Sequence, residues 1–140
     1  ARSVNTNPTF AVESDFNDGF DGDKMHSLYQ NGKEVYKFAV KALPHAFGKA
    51  AEKINISAEE IDLFIPHQAN YRILETAAKN LGVSMDKMFV TLDKFGNTSS
   101  ASIPIALDIA LEQNKIKEND KICLVGFGAG LTSASIIMEF

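Results

Sequence analysis

The sequence predicts an α/β fold, and three observations carry that prediction. Apolar residues recur at the helical period over residues 33–54, 70–81 and 100–113. A short apolar run at 61–65 stops at a proline, as a buried strand would. Two further apolar runs, 121–127 and 131–140, flank a glycine-rich turn. That turn is too short for a parallel crossover, so the last two strands should pair antiparallel.

The elements follow in order. Residues 1–24 form a polar, turn-rich lead-in with Asn17-Asp18-Gly19 and Asp21-Gly22-Asp23 as turn signals, and Thr9 to Ser14 is a candidate short strand. Between 33 and 54 the apolar positions are 35, 38, 39, 42, 43, 46, 47 and 50. Pro44 lies inside that stretch, lacks an N–H and crowds the preceding turn, so two helical pieces or one kinked helix are expected. Ser57 followed by Glu60 is a capping-box pattern for one short turn. The helix at 70–81 should turn Tyr71, Leu74, Ala77, Ala78 and Leu81 inward and stop at Gly82. Phe89-Val90-Thr91 reads as a short strand. The helix at 100–113 should bury Ile103, Leu107, Ala110 and Leu111, and it tolerates Pro104 because the proline lies in its first turn.

The totals narrow the possibilities. With 140 residues, one domain is expected, and 45% hydrophobic with 23% charged residues is an ordinary globular composition. A formal net charge of −4 argues against nucleic acid, whose phosphates need a basic face. No apolar run approaches the roughly 20 residues of a membrane span. No signal-peptide pattern opens the chain. A single cysteine cannot close an internal disulfide, which points to a reducing cytoplasm. The first residue is Ala1 rather than Met, from which a fragment or a processed chain is expected.

Three motifs carry the chemistry: Pro66-His67-Gln68-Ala69-Asn70, Gly96-Asn97-Thr98-Ser99-Ser100-Ala101-Ser102 and Gly126-Phe127-Gly128-Ala129-Gly130. An imidazole, a side-chain amide and a row of backbone N–H groups are what a site uses to hold a developing enolate or oxyanion. Each motif also has a plainer reading. A lone His67 could satisfy a strand-end carbonyl, and Asn97 could take a left-handed turn after Gly96. Thr98, Ser99 and Ser100 suit helix-start caps better than nucleophiles. The glycine turn is not a dinucleotide loop, because Leu131-Thr132-Ser133-Ala134-Ser135-Ile136-Ile137 alternates as a strand and opens no helix. Cys123 stands among Ile122, Leu124 and Val125 and reads as core. His26 and His45 match no motif. Arg72 and Lys79, seven residues apart on one helix, share a face and by spacing alone form a solvated basic edge.

Residues 25–140 resemble the C-terminal half of the 3-oxoacyl-acyl-carrier-protein synthase III family, thiolase-like condensing enzymes that work through a Cys-His-Asn triad. The family's PHQAN and GNTS motifs stand here letter for letter, about thirty residues apart, with the glycine turn following at the usual distance. The segment from Met25 through Gly32 to Lys37 is similar to another family motif. The resemblance implies a C-terminal thiolase-like half, a mixed five-stranded sheet with helices on both faces. It implies catalytic roles for His67 and Asn97, donating to the thioester oxygen of malonyl-carrier protein during decarboxylation. Phe127, Gly128 and Ala129 would wall the nucleophile pocket and lay backbone donors beside the acyl oxygen. Asn70, Arg72 and Lys79 would meet the phosphopantetheine arm and the acidic carrier.

The catalytic Cys belongs to the family's N-terminal half, so this chain alone is expected to be inactive and to need that half as partner. Acyl carrier protein and acyl-coenzyme A are the other implied partners, with a homodimer for the full-length enzyme. No metal or cofactor is expected, since acyl-coenzyme A and malonyl-carrier protein are substrates. The resemblance also departs in places. Ser133-Ala134 replaces a common Trp-Gly, and Ala129 a common Gly. A related condensing enzyme of secondary metabolism, or a non-catalytic carrier-binding subunit, remains open at this point.

Overall fold

The computed structural model describes residues 31–140 of the chain. The expected lead-in, its candidate strand and turns, the segment from Met25 to Gln30 and His26 lie outside the described residues. Within them, seven elements follow one another: helix α1 (Gly32–Ile54), strand β1 (Leu63–Pro66), helices α2 (Tyr71–Leu81), α3 (Leu92–Phe95) and α4 (Ser102–Glu112), and strands β2 (Lys121–Gly128) and β3 (Thr132–Glu139). Single 3₁₀ turns at Ala58–Glu60, Met85–Lys87 and Ser99–Ala101 join them.

The sheet runs β1-β2-β3. β1 pairs with β2 in parallel, from Leu63 opposite Ile122 to Pro66 opposite Val125. β2 pairs with β3 antiparallel, from Lys121 opposite Glu139 to Gly128 opposite Thr132, as the short turn between them requires. The described residues thus supply three strands of the five expected. Phe89-Val90-Thr91 is not a strand: the chain there makes only one isolated bridge, Phe64 to Met88.

Side chains alternate along the strands, so each face receives its own helices. Phe64, Cys123 and Val125 face α1 and α2 in one core with Leu43, Phe47, Ile73 and Leu74. Leu63, Ile65 and Ile122 face α4 in a second core with Ala106, Ala110 and Ile116. Helices therefore cover both faces of the sheet. Phe47 meets Phe64 edge to face at 5.4 Å and 66°, a geometry worth about 0.5–1.5 kcal/mol beyond burial alone.

α1 is one continuous helix with Pro44 inside it. Pro44 cannot donate to the carbonyl of Val40, four residues earlier. The side-chain amide of Asn80, on α2, donates to that carbonyl at 3.0 Å and fills the gap. The Tyr36 hydroxyl and Thr76 Oγ1, 2.9 Å apart, tie the same two helices together. Asn31 caps the start of α1 with its side-chain oxygen, and Asn55 ends it in a left-handed conformation.

α2 stops at Gly82, whose φ of +74° is left-handed, as expected. Its inward face is Ile73, Leu74, Ala77 and Ala78, while Tyr71 is exposed, contrary to the periodicity reading. Glu60 reaches back to the Ser57 N–H at 2.8 Å, which is the acidic half of the anticipated capping box. On α4 the fully buried positions are Ser102, Ala106 and Ala110, with Ile103, Leu107 and Leu111 only partly buried beside them. No described helix is long and apolar enough to cross a membrane.

Candidate active site

The three motifs meet at one cleft of about 1030 Å³ at the C-terminal end of β1 and β2. His67 comes directly after β1. Its backbone N–H donates to Val125 O at 2.8 Å, continuing the parallel ladder, so its position is fixed by the sheet. The ring is half-buried and meets the Phe127 ring in a T-shaped arrangement, the ring centres 5.3 Å apart and the planes at 68°. Its Nδ1 lies 2.6 Å from Ser102 Oγ. Burial pulls the imidazole pKa below its ordinary value, because the charged form loses hydration. At neutral pH the ring is therefore uncharged.

The neighbouring Gln68 is fully buried, and sequence reasoning gave it no role. Its Nε2 donates to Pro66 O at 2.8 Å and to Phe89 O at 3.0 Å, and its Oε1 accepts from the Thr91 N–H at 2.9 Å. Its own backbone N–H donates to Ser102 Oγ at 3.2 Å. One amide thus joins the end of β1 to the loop that leads on to Asn97. Both of its donor hydrogens and its acceptor are used, which is what makes its burial affordable.

Asn97 lies on the cleft wall. It is not itself the left-handed residue: positive φ falls on Gly96 (63°) and Ser99 (54°). Instead, Asn97 Oδ1 accepts from the Ser99 N–H at 2.9 Å, an Asx turn that orients the amide. Its Nδ2 has no hydrogen-bond partner among the described residues. The spare half of the amide is the donor half.

From the glycine turn, Phe127, Gly128 and Ala129 all line the cleft. Gly126 lines it too, for a steric reason. A Cβ there would stand 3.2 Å from Ile103 Cδ1 and 4.0 Å from His67 Cβ. Asn70 and Arg72 reach the rim. Asn70 caps α2, its Oδ1 accepting from the Arg72 N–H at 2.9 Å. Lys79 is exposed and does not line the cleft, so the pairing with Arg72 read from helix spacing does not extend into it. Lys33 and Lys37 of α1 line it instead. Lys37 is ion-paired to Glu34 at 2.9 Å, and that contact holds the Glu34 carboxyl below its usual range.

Among the described residues, the chemistry is that of a donor cradle without a nucleophile. Cys123 is fully buried in the strand core, and burial pushes its thiol pKa up to about 12, so it carries no thiolate at neutral pH. Ser102 with His67 has the spacing of a nucleophile–base pair, but Ser102 is 1% exposed and its hydroxyl is engaged by both His67 Nδ1 and the Gln68 N–H. What the cleft offers is an imidazole N–H, an amide N–H and turn backbone, all suited to negative charge on an oxygen.

An α/β layer with such a cradle at its strand ends has the architecture of a thiolase-like half. Residues 51–140 match the family model described as 3-Oxoacyl-[acyl-carrier-protein (ACP)] synthase III C terminal, and the chain belongs to this family. It is 53% identical over 117 residues to the beta-ketoacyl-[acyl-carrier-protein] synthase III of Natranaerobius thermophilus, covering 84% of this chain and 36% of that protein. The Staphylococcus aureus (strain Newman) protein of the same name is 51% identical over 113 residues, covering 81% and 36%. The crystal structure of the Thermus thermophilus synthase superposes with a TM-score of 0.79 at 46% identity, covering 82% of this chain and 36% of that one. The chain therefore spans about a third of the length of the relatives it matches.

Proposed function

We propose that this chain is the decarboxylating half of a 3-oxoacyl-acyl-carrier-protein synthase III, with domain bounds at 25–140 behind a polar lead-in. In the whole enzyme a cysteine from another segment takes an acyl group from acyl-coenzyme A. Malonyl-carrier protein then enters the cleft. The bond between its carboxylate and α-carbon breaks, carbon dioxide leaves, and the electron pair forms an enolate whose charge rests on the thioester oxygen. His67 Nε2–H and Asn97 Nδ2–H donate to that oxygen. The enolate carbon attacks the acyl-cysteine, and the cysteine thiolate leaves. Phe127 walls the pocket, and Gly128 and Ala129 present backbone to the acyl oxygen.

Arg72 at the rim receives the acidic carrier, with Asn70 beside the pantetheine arm and Lys79 further out along α2. The assembly is a cytoplasmic homodimer that makes fatty-acid precursors. The observation that carries the reading is the convergence of His67 and Asn97, thirty residues apart, on one cleft with their donor groups unspent.

The test uses the full-length enzyme. His67→Ala or Asn97→Ala should slow malonyl decarboxylation by about 10²–10³-fold while leaving acyl loading of the cysteine much less affected. Equal loss in both half-reactions would mean that these residues hold the fold rather than the enolate.

A further inference from the structure

We propose that the hydroxyl of Ser102 fixes the proton of His67 on Nε2, making Ser102 a positioning residue for the cradle's imidazole. The argument is a count of hydrogens. Ser102 Oγ has one hydrogen to give and two lone pairs to receive with. The Gln68 backbone N–H, 3.2 Å away, can only donate, and it occupies one lone pair. His67 Nδ1, 2.6 Å away, is the other neighbour. Among the described residues no further acceptor lies within reach of Oγ, and with Ser102 1% exposed, bulk water does not reach it either.

The hydroxyl hydrogen therefore goes to Nδ1, which must be bare to accept it. A neutral imidazole with a bare Nδ1 carries its proton on Nε2. The opposite arrangement, Nδ1–H donating to Oγ, strands the hydroxyl hydrogen in a buried site. An unsatisfied buried donor of that kind biases the tautomers by roughly ten- to a hundred-fold. The hydroxyl is itself held rigidly. Ser102 opens α4, its backbone N–H donates to Ser99 O, and it lies one turn ahead of Ala106 and Ala110 on the buried stripe.

The placement of the proton stands on this geometry alone. Its catalytic consequence rests on the donor role proposed for His67, so the two are tested separately. In full-length protein labelled with ¹⁵N-histidine, the His67 signals are assigned by their loss in His67→Gln, and the ring shifts report which nitrogen is protonated. The wild type should show one neutral tautomer, protonated at Nε2. Ser102→Ala should give a mixture of both, and Ser102→Thr, which keeps the hydroxyl, should restore the single form. A wild-type proton on Nδ1 overturns the inference without any variant having to fold. An unchanged tautomer in folded Ser102→Ala overturns it as well.

In the complete enzyme, decarboxylation by Ser102→Ala should fall about twofold in kcat, the share of imidazoles left with their proton on Nδ1, with KM for the malonyl thioester unchanged, and Ser102→Thr should recover it. If the tautomer responds and the rate does not, Ser102 keeps its role and the donor role of His67 falls. If His67→Ala blocks decarboxylation while the tautomer ignores Ser102, the donor role stands and Ser102 is only core.

Discussion

Asn80 and Pro44 should be energetically coupled across two helices. Pro44 removes the amide that Val40 O would accept within α1, and Asn80 Nδ2 supplies a substitute at 3.0 Å. Asn80→Ala deletes one amide–carbonyl hydrogen bond at a site water can partly reach, a loss of about 0.5–1.5 kcal/mol. Alanine's better helix propensity returns about 0.5 kcal/mol, so the single variant should lose about 0–1 kcal/mol. With Pro44→Ala in place, the helix regains its own N–H for Val40 O. Asn80→Ala should then be neutral or slightly stabilising. The double-mutant cycle, read from urea unfolding of the four proteins, should give a coupling of about 1 kcal/mol. Additivity of the two changes within about 0.3 kcal/mol would refute the argument, since residues sharing no acceptor behave that way.

Three other outcomes follow from the cleft. His67 has a depressed pKa when folded, so the unfolded state binds more protons between that value and about 6.5; stability should rise with pH across this window and level off above it, and His67→Gln should flatten that part of a pH-dependent unfolding series. Gly126→Ala places a Cβ 3.2 Å from Ile103 Cδ1, and the resulting overpacking should cost about 1 kcal/mol in thermal unfolding, with Ile103→Val in the same chain relieving it. Arg72→Ala in the full-length enzyme should raise KM for malonyl-carrier protein, with a gap to wild type that narrows as salt is added; an equal effect on a malonyl thioester of a short synthetic arm would make Arg72 an internal residue rather than a docking one.

Much of the frame could be read directly from the sequence. The alternation on either side of the glycine turn foretold an antiparallel pair, Gly82 foretold the end of α2, and Cys123 among branched apolar residues foretold a buried thiol. The misreadings came where a distant side chain competed for local groups. Phe89-Val90-Thr91 has strand-like residues, but the Gln68 amide takes Phe89 O and the Thr91 N–H, leaving only the Met88 bridge. Pro44 left two helical pieces or one kinked helix open, and the chain forms a single helix in which Asn80, from another helix, supplies the donor that Val40 O lacks. Tyr71 fell on the apolar period, yet it is the first residue of α2 and faces outward while Ile73 packs inward.

The cleft divides in the same way. Side chains that touch the space, such as His67 and Asn97, stand in recognisable strings. Ser102 stands at the end of one such string, but its partner is 35 positions away, and local pattern marks it only as one more hydroxyl near a helix start.

The order of pairing in the sheet also has a kinetic consequence. β2 and β3 are neighbours in sequence and can zip from their turn, whereas Leu63 must find Ile122 across 59 intervening steps of chain. Closing so long a loop is entropically slower than closing a hairpin, and parallel pairs gain nothing until the crossover is in place. The imidazole hangs on the end of the late-pairing strand, and its hydroxyl neighbour opens the helix inside the crossover. In refolding of the full chain, the hairpin and its glycine turn are therefore expected to form before the imidazole reaches them, and the chemical competence of the cleft should appear only with the least local contact of the sheet.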